Sequence, residues 1–238
     1  MSIDNNNLYL LLDLLSLSVP FLVSFHPRLR LYREWPALFA AIFLAMIPYI
    51  IWDVYFTVHG YWGFNPTYLT GHYLFSLPLE EWLFFICIPY ACVFTHLSLL
   101  EINPGLGLPV LLTRRITFLL LGVFVLVGIL NWDKAYTVVD MIFGIVILSV
   151  VQWRRPEMLS SFFLTFLVML IPFFVVNGIL TGTGIEGNIV WYNDQENLGV
   201  RLGTIPVEDS VYAFSMILLN LFLFLEFRDR WHAAPTAA

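Results

Sequence analysis

Residues 76–85 read SLPLEEWLFF, in which a proline precedes two adjacent acids, Glu80 and Glu81, at the start of a long apolar run. The same pattern returns in residues 204–209, TIPVED, where Glu208 and Asp209 also precede an apolar run. Acids at the mouth of an apolar segment are costly to bury and need a partner or a function. This repeated element is therefore the starting point for interpreting the chain.

Further matches, in the same order, surround the two copies. The matched residues are Asp53 with Asn177, Trp62 with Trp191, Asn65 with Asn193, and Gly71 with Gly199. Ordered matches of this kind indicate an internal duplication, in which each copy forms one structural repeat. The copies differ at the first pair, since Asp53 is a carboxylic acid and Asn177 is an amide.

The composition is that of a membrane protein. Of the 238 residues, 60% are hydrophobic and only 12% are charged, and no basic cluster suggests that the chain binds nucleic acid. Cys87 and Cys92 lie in one apolar run at a spacing that fits neither a CxxC motif nor a zinc site, so we interpret them as packing residues. These features predict an integral membrane protein.

Seven apolar runs set the expected number of spans. Most of them approach the roughly 20 residues that an α-helix needs to cross a bilayer, and the fourth is shorter. They are apolar on every face, whereas β-barrel strands would alternate apolar and polar residues, so we predict an all-α fold with seven transmembrane helices. The runs cover residues 8–25, 37–58, 79–100, 116–130, 135–153, 161–180 and 207–227.

Basic residues indicate the orientation. All but two of the eleven Lys and Arg residues fall on one side of the membrane, and the exceptions are Lys134 and Arg201. Because cytoplasmic segments carry an excess of Lys and Arg, we predict a multi-pass protein of the cell membrane with its N-terminus outside and its C-terminus in the cytoplasm. The cytoplasmic residues are Arg28, Arg30, Arg33, Arg114, Arg115, Arg154, Arg155, Arg228 and Arg230.

The duplication and the number of spans together predict the domain organisation. Residues 1–113 form a first three-helix repeat, residues 114–134 a linker transmembrane helix, and residues 135–238 a second three-helix repeat with a short cytoplasmic tail. A single joining helix gives both repeats the same orientation. The expected arrangement is therefore two parallel repeats, three helices plus one plus three, with both acid pairs at the non-cytoplasmic end.

Two interpretations of the acid pairs compete. A proline, a Ser or Thr cap and acids in the first turn are ordinary features of a helix start, where the helix dipole favours negative charge. The repetition of the pair before two aromatic-rich spans favours a functional site instead. Neighbouring helical residues point about 100° apart, so we expect one acid of each pair to face the bundle interior and the other to lie near the membrane interface.

Asp53 and Asn177 lie near the far ends of the preceding spans, from which we expect them to meet the acids of a facing helix. An acid enclosed by apolar and aromatic side chains can donate a proton near neutral pH. We therefore expect proton chemistry at this site. The candidate catalytic residues are Glu80, Glu81, Glu208, Asp209, Asp53 and Asn177.

Aromatic and amide side chains that lie close to the acids in the sequence are candidates for substrate binding. Each aromatic residue taken alone is more typical of a lipid-facing or interfacial position. The candidates are Trp62, Asn65, Trp82, Phe84, Phe85, Trp191, Asn193 and Tyr212.

These motifs resemble those of the membrane-integral lycopene cyclase family. The most specific match is residues 190–202, VWYNDQENLGVRL, running into PVED at residues 206–209. The family includes the two-subunit cyclases of some Gram-positive bacteria, their fused archaeal and bacterial counterparts, and the cyclase part of bifunctional fungal carotenoid enzymes. The resemblance covers essentially the whole chain, and each repeat corresponds to one subunit of the split enzymes.

The resemblance implies an enzyme, a lycopene β-cyclase, that isomerises linear lycopene to carotenes with β-ionone rings without net redox change, as an intramolecular lyase. An acid protonates the terminal double bond of a ψ end group, the neighbouring double bond closes the ring, and a base removes a ring proton. Among Glu80, Glu81, Glu208 and Asp209, the sequence leaves open which acid donates and which accepts. It also leaves open whether β or ε rings form and whether one or both ends of lycopene are cyclised.

No cofactor or metal is predicted, because the chain has neither a dinucleotide-binding motif nor clustered histidines, and the need for a reduced cofactor stays open. The resemblance implies lycopene, the lipid bilayer and other carotenoid-pathway enzymes as partners. The alternative function is a small transporter with parallel three-helix repeats, in which helices break near the midplane. Pro48, Pro89 and Pro172 interrupt the apolar runs and keep that alternative open.

Overall fold

The computed structural model of the protein describes residues 5–233. Residues 1–4 of the predicted first repeat and residues 234–238 of the predicted tail lie outside the described residues. Seven α-helices account for most of this part of the chain. They are α1 (Leu8–Val23), α2 (Trp35–His59), α3 (Leu79–Ile102), α4 (Val110–Leu130), α5 (Ala135–Arg154), α6 (Pro156–Leu180) and α7 (Glu208–Ala233).

The prediction of an all-α membrane protein is confirmed. Helices α2 to α7 are each long and apolar enough to cross a bilayer, so the chain is a multi-pass membrane protein. Helix α1 is also apolar but has only 16 residues, so its role as a seventh span stays a prediction.

At two helix ends the structure extends beyond the predicted apolar run through arginine residues. Helix α4 begins at Val110, so Arg114 and Arg115 lie in its first two turns rather than in a loop. Helix α7 likewise continues through Arg228 and Arg230. Arginine is a good helix former, and its long side chain can carry the charge to the membrane surface.

The prolines inside the spans do not break them. Pro48 lies within α2, Pro89 within α3 and Pro172 within α6, and each helix is continuous across its proline. Neighbouring helices can compensate for the missing backbone hydrogen bond in such positions. The broken midplane helices expected of a transporter are therefore not found at these three positions.

The core of the bundle joins the two halves of the chain. Helices α2 and α5 both pack along α7. Helix α1 packs along α3, and α4 lies against α5 at the periphery. Tyr49 of α2 is fully buried in this core, and its hydroxyl shares a 2.8 Å hydrogen bond with that of Ser215 in α7.

Short strands in the connecting loops position the acid pairs. Strands β2 (Tyr73–Leu74) and β3 (Leu77–Pro78) form a hairpin directly before α3, and β5 (Arg201–Leu202) and β6 (Ile205–Pro206) form one directly before α7. Each hairpin ends in a proline that fixes the entry of the helix. The acids of both copies therefore fall in the first turn, as predicted.

A third strand pair connects the two halves. Strand β1 (Trp62–Phe64) runs antiparallel to β4 (Val190–Tyr192), with Trp62 opposite Tyr192 and Gly63 opposite Trp191. Gly63 is required by this pairing, because a Cβ atom at this position would overlap the ring of Trp191. The pair lies across the end of the bundle that carries the acids.

Candidate active site

A cavity of about 580 Å³ lies inside the bundle. Residues of α1, α3, α6 and α7 form most of its wall, and the wall is mainly apolar. Four of the six predicted catalytic residues line one end of it, and they come from four different helices. These four are Asp53 on α2, Glu81 on α3, Asn177 on α6 and Asp209 on α7.

Glu81 belongs to the first acid cluster. The hydroxyl of Tyr9 donates a 2.6 Å hydrogen bond to Glu81 Oε2, and Trp62 Nε1 donates a 2.6 Å hydrogen bond to Asp53 Oδ1. The carboxyl groups of Asp53 and Glu81 are neighbours in this cluster, which would allow a hydrogen bond between them when one of the two is protonated. Two carboxyl groups can form such a bond only if they share a proton, so this pair is suited to donate one.

Asp209 belongs to the second acid cluster, and it has different partners. Its Oδ1 accepts a 2.5 Å hydrogen bond from the Tyr136 hydroxyl. Its Oδ2 accepts from Asn177 Nδ2 at 2.8 Å, which confirms the predicted contact, and from the Tyr192 hydroxyl at 2.9 Å. Three donors pointing at one carboxyl group match an ionised carboxylate, which is an acceptor only.

Tyr192 is fixed as a donor in this cluster. It lies in β4, outside the helices, where burial and the neighbouring Asp209 carboxylate raise the pKa of its hydroxyl well above the usual range. The hydroxyl therefore stays protonated and available to Asp209.

The other acid of each pair anchors a loop. Glu80 Oε1 accepts a 2.6 Å hydrogen bond from the Thr70 backbone N–H. Glu208 Oε1 accepts from the Leu198 backbone N–H and from the Thr137 hydroxyl, both at 2.7 Å. Neither acid lines the cavity, but each is only 1% exposed. Each of these acids lies beneath the loop before its helix, and the expected position of one acid of each pair near the membrane interface stays a prediction.

The predicted substrate-binding residues divide in the same way. Trp62, Phe84 and Tyr212 line the cavity, whereas five other candidates lie outside it. Alternate strand residues face opposite sides, so Tyr192 of β4 faces the cavity and Trp191 faces away from it. The five outside are Asn65, Trp82, Phe85, Trp191 and Asn193.

Four of the five candidates outside the cavity have another structural role. Asn65 accepts from the Thr67 N–H and donates to the Asn188 carbonyl, and Asn193 accepts from the Gln195 N–H, so both amides order loops. Trp82 Nε1 donates to the Leu74 carbonyl at 3.2 Å and holds the hairpin before α3. Phe85 is buried against Tyr49 of α2, with ring centroids 6.3 Å apart.

An aromatic wall surrounds the acid end of the cavity. The rings of Trp62 and Tyr136 meet edge to face with centroids 5.1 Å apart, and Tyr136 stacks on Tyr192 at 5.8 Å. Behind them, Trp52 packs on Tyr212 at 5.0 Å. Such a wall can stabilise a cation formed between the two acid clusters without trapping it.

Sequence reasoning missed one repeated element. Tyr9 and Tyr136 donate to Glu81 and Asp209, and each is followed four residues later by a fully buried acid, Asp13 and Asp140. The spacing of four places the tyrosine and the acid on one helix face. The signal in the sequence was this Tyr-x-x-x-Asp pattern in the first helix of each half, isolated within long apolar runs.

Asp13 and Asp140 are unusual because their carboxyl oxygens have no hydrogen-bond partner among residues 5–233. Asp13 lies near Glu80 and Glu81, and Asp140 lies near Glu208 and Asp209. Burying an unpartnered carboxyl group costs free energy. Both acids therefore oppose folding at their positions.

Replacing Asp140 by valine is expected to maintain or raise the free energy of unfolding in detergent, because the substitution removes an unpartnered buried acid. The matched control is Thr137→Val on the same helix, which removes the hydrogen bond to Glu208 and should lower the free energy by about 1 kcal/mol. Thermal unfolding of both purified variants measures the difference. A larger loss for Asp140→Val than for Thr137→Val would contradict the prediction.

In the part of the chain that the structure describes, no group of three or more His, Cys, Asp or Glu side chains is arranged to hold a metal ion. The carboxyl groups of the site are instead paired with each other, with an amide and with hydroxyl groups. Their arrangement is suited to the donation and acceptance of protons.

Comparison with known proteins identifies the family. The family model described as Lycopene cyclase matches residues 6–99 and 133–227, which together make up more than half of the chain. No protein of curated function and no solved structure matches the chain significantly. The matched segments contain both acid clusters and all three tyrosines that donate to them. On this match, the chain belongs to the lycopene cyclase family.

Proposed function

We propose that the protein is a lycopene β-cyclase, an intramolecular lyase that converts the ψ end groups of lycopene to β-ionone rings. One observation carries this proposal: a single apolar cavity holds a carboxyl pair suited to donate a proton and a separate carboxylate suited to accept one. Membership of the lycopene cyclase family supports the choice of substrate.

The first step is proton donation by the Asp53–Glu81 pair. Its proton is transferred to the terminal double bond of the ψ end group, so that an O–H bond breaks, a C–H bond forms and a tertiary carbocation results. The Tyr9 hydroxyl and Trp62 Nε1 remain hydrogen-bonded to the pair and stabilise the negative charge left on it.

Ring closure follows between the two acid clusters. The neighbouring double bond attacks the cation, which forms the ring C–C bond and moves the positive charge within the ring. The rings of Trp62, Tyr136 and Tyr212 line this region and stabilise the charge through their faces. The apolar wall excludes water, which would otherwise add to the cation.

The last step is proton removal by Asp209. It takes the ring proton whose loss creates the β double bond, and the Asn177 amide and two tyrosine hydroxyls hold the carboxylate in position. One proton is added and one is removed, so the product is an isomer of the substrate. No oxidant or reductant is consumed, and we propose that no cofactor enters the chemistry.

We also propose the parallel arrangement of three helices plus one plus three, with residues 114–134 as linker and the acids at the non-cytoplasmic end. The equivalent hairpins before α3 and α7 support it. The family model matches two segments, and the whole of α4 lies between them, which supports the arrangement as well. Under this proposal, α1 spans the membrane from an external N-terminus.

The function is tested by expressing the chain in a bacterial host that accumulates lycopene and separating the extracted pigments by chromatography. Conversion of lycopene to γ- or β-carotene is expected. Purified protein in lycopene-containing liposomes should retain this activity after dialysis, without added nicotinamide or flavin. Unchanged lycopene in cells that contain folded, membrane-inserted protein would overturn the proposed function.

A further inference from the structure

The cavity is elongated and extends far beyond the acids. Its lining follows α1 from Tyr9 to Pro20 and α6 from Leu180 to Phe166. At 1.5 Å per helical residue these stretches are about 16 Å and about 21 Å long. The cavity therefore extends from the acid end well into the thickness of the hydrocarbon core, which is about 30 Å.

The acid end of the cavity is covered. Strands β1 and β4 cross it, and Trp62, Phe64, Val190 and Tyr192 from these strands line the cavity and are buried or half-buried. A long substrate therefore has no open approach from this end.

The side of the cavity is open. All exposed residues that line it lie on α1 or α6, namely Leu15 (59% exposed), Val19 (63%), Pro172 and Val175 (60%). Helix α1 packs along α3 but approaches α6 at few points. Residues that line a cavity and are also exposed mark its mouth, which we name the α1–α6 slit.

The rim of the α1–α6 slit is chemically uniform. Leu15, Val19, Pro172 and Val175 are all apolar, and no charged residue occurs on the lining stretch of α6. Asp13 is the only charged residue on the lining stretch of α1, and it is fully buried and does not line the cavity. A slit of this kind faces lipid and admits an apolar chain rather than a polar metabolite.

We infer that the α1–α6 slit is the entrance through which one end of lycopene passes laterally from the bilayer to the acids. The inference rests on the proposed function and identifies the polyene-binding part of that site. The end group lies between Glu81 and Asp209 during ring formation, and the remaining polyene chain stays in the slit in contact with lipid.

A consequence follows for the order of products. Both acid clusters line the same cavity, so the protein has one site for one end group rather than one site in each half. The second ring then requires the monocyclic carotene to leave through the slit and return with its other end first.

The test narrows the slit with bulky side chains and compares these variants with a control at a similarly exposed position on another helix. Val19→Phe and Val19→Trp, and separately Val175→Trp, should slow lycopene consumption in liposomes, with Trp at Val19 lowering the rate by about tenfold or more. Val146→Trp is the control, because Val146 is 54% exposed on α5 and does not line the cavity. Thermal unfolding and membrane yield confirm that each variant is folded.

The outcomes separate the inference from the proposed function. If wild-type protein cyclises lycopene and the Val19 and Val175 variants match Val146→Trp, the entrance lies elsewhere and the inference is overturned while the function stands. If wild-type protein does not act on lycopene, the proposed function itself fails. With lycopene in large excess, free monocyclic carotene should accumulate before any bicyclic product. If bicyclic carotene formed from the start with no free monocyclic carotene, the two rings would not be made in separate binding events.

Discussion

Replacing Glu81 by glutamine is expected to abolish ring formation and lower the rate of lycopene consumption by about 100-fold or more, the usual contribution of a positioned proton donor. Glutamine is nearly isosteric and can still accept from the Tyr9 hydroxyl, so the fold and the cavity should persist. It cannot share a proton with Asp53 or give one to carbon. Pigment chromatography on liposomes containing the purified variant measures the loss.

The matched control is the neighbouring acid. Glu80→Gln keeps a carbonyl oxygen that can accept from the Thr70 N–H, and Glu80 does not line the cavity, so the rate should fall only a few-fold. If Glu80→Gln were as inactive as Glu81→Gln, or if Glu81→Gln kept most of its activity, proton donation from the Asp53–Glu81 pair would be the wrong mechanism.

Asp209→Asn is expected to cause a similar loss of about 100-fold or more, but at a later step. The Tyr136, Tyr192 and Asn177 donors would then face an amide, which cannot accept the ring proton. Protonation of the substrate by the first cluster would still occur and reverse. In heavy water, lycopene recovered from Asp209→Asn should therefore gain deuterium, whereas lycopene recovered from Glu81→Gln should not.

Mass spectrometry of the recovered lycopene distinguishes the two steps. Glu208→Gln serves as the control for the second half, since glutamine can still accept from the Leu198 N–H and a loss of only a few-fold is expected. If lycopene recovered from Glu81→Gln contained deuterium, the first cluster would not be the proton donor. If lycopene recovered from Asp209→Asn contained none, the second cluster would not act after protonation.

The sequence located the site because its strongest signals are local. A proline before two acids predicts a helix start, and the structure places both pairs in first turns. The contact between Asn177 and Asp209 followed from the position of Asn177 near the far end of the preceding span. The first signal depends on the short spacing between the proline and the acids, and the second on the meeting of successive spans at one end of the bundle.

Which acid of each pair lines the cavity and which one anchors a loop could not be predicted in the same way. Helices that are apolar all round carry no hydrophobic stripe to show which side faces the interior. Whether Glu80 or Glu81 faces the cavity depends on how the loop before α3 folds back onto the helix, through the Thr70 N–H. Tyr9 was missed because its partner is 72 residues away in the sequence.

The sequence also could not show that Tyr192, and not Trp191, lines the cavity, and the reason is related. Both residues lie in a motif of the second half, but the pairing of β4 with β1 decides which of them faces the cavity. A shift of one residue in that register would turn every side chain of the strand to the other face. The register depends on a contact between strands that are far apart in the sequence, and a hydropathy pattern does not predict such a contact.

The two halves differ at one position of the site, where Asp53 of the first half corresponds to Asn177 of the second. This exchange of a carboxyl group for an amide gives the two sides of the cavity different chemistry. An amide can hold a carboxylate in place, but it cannot pass on a proton as a second acid would. Under the proposed mechanism, hydrogen arrives from the α2–α3 wall and departs to the α6–α7 wall. The β-ionone ring has no stereocentre, yet this geometry would distinguish its two faces and give the proposed reaction a handedness that its product does not display.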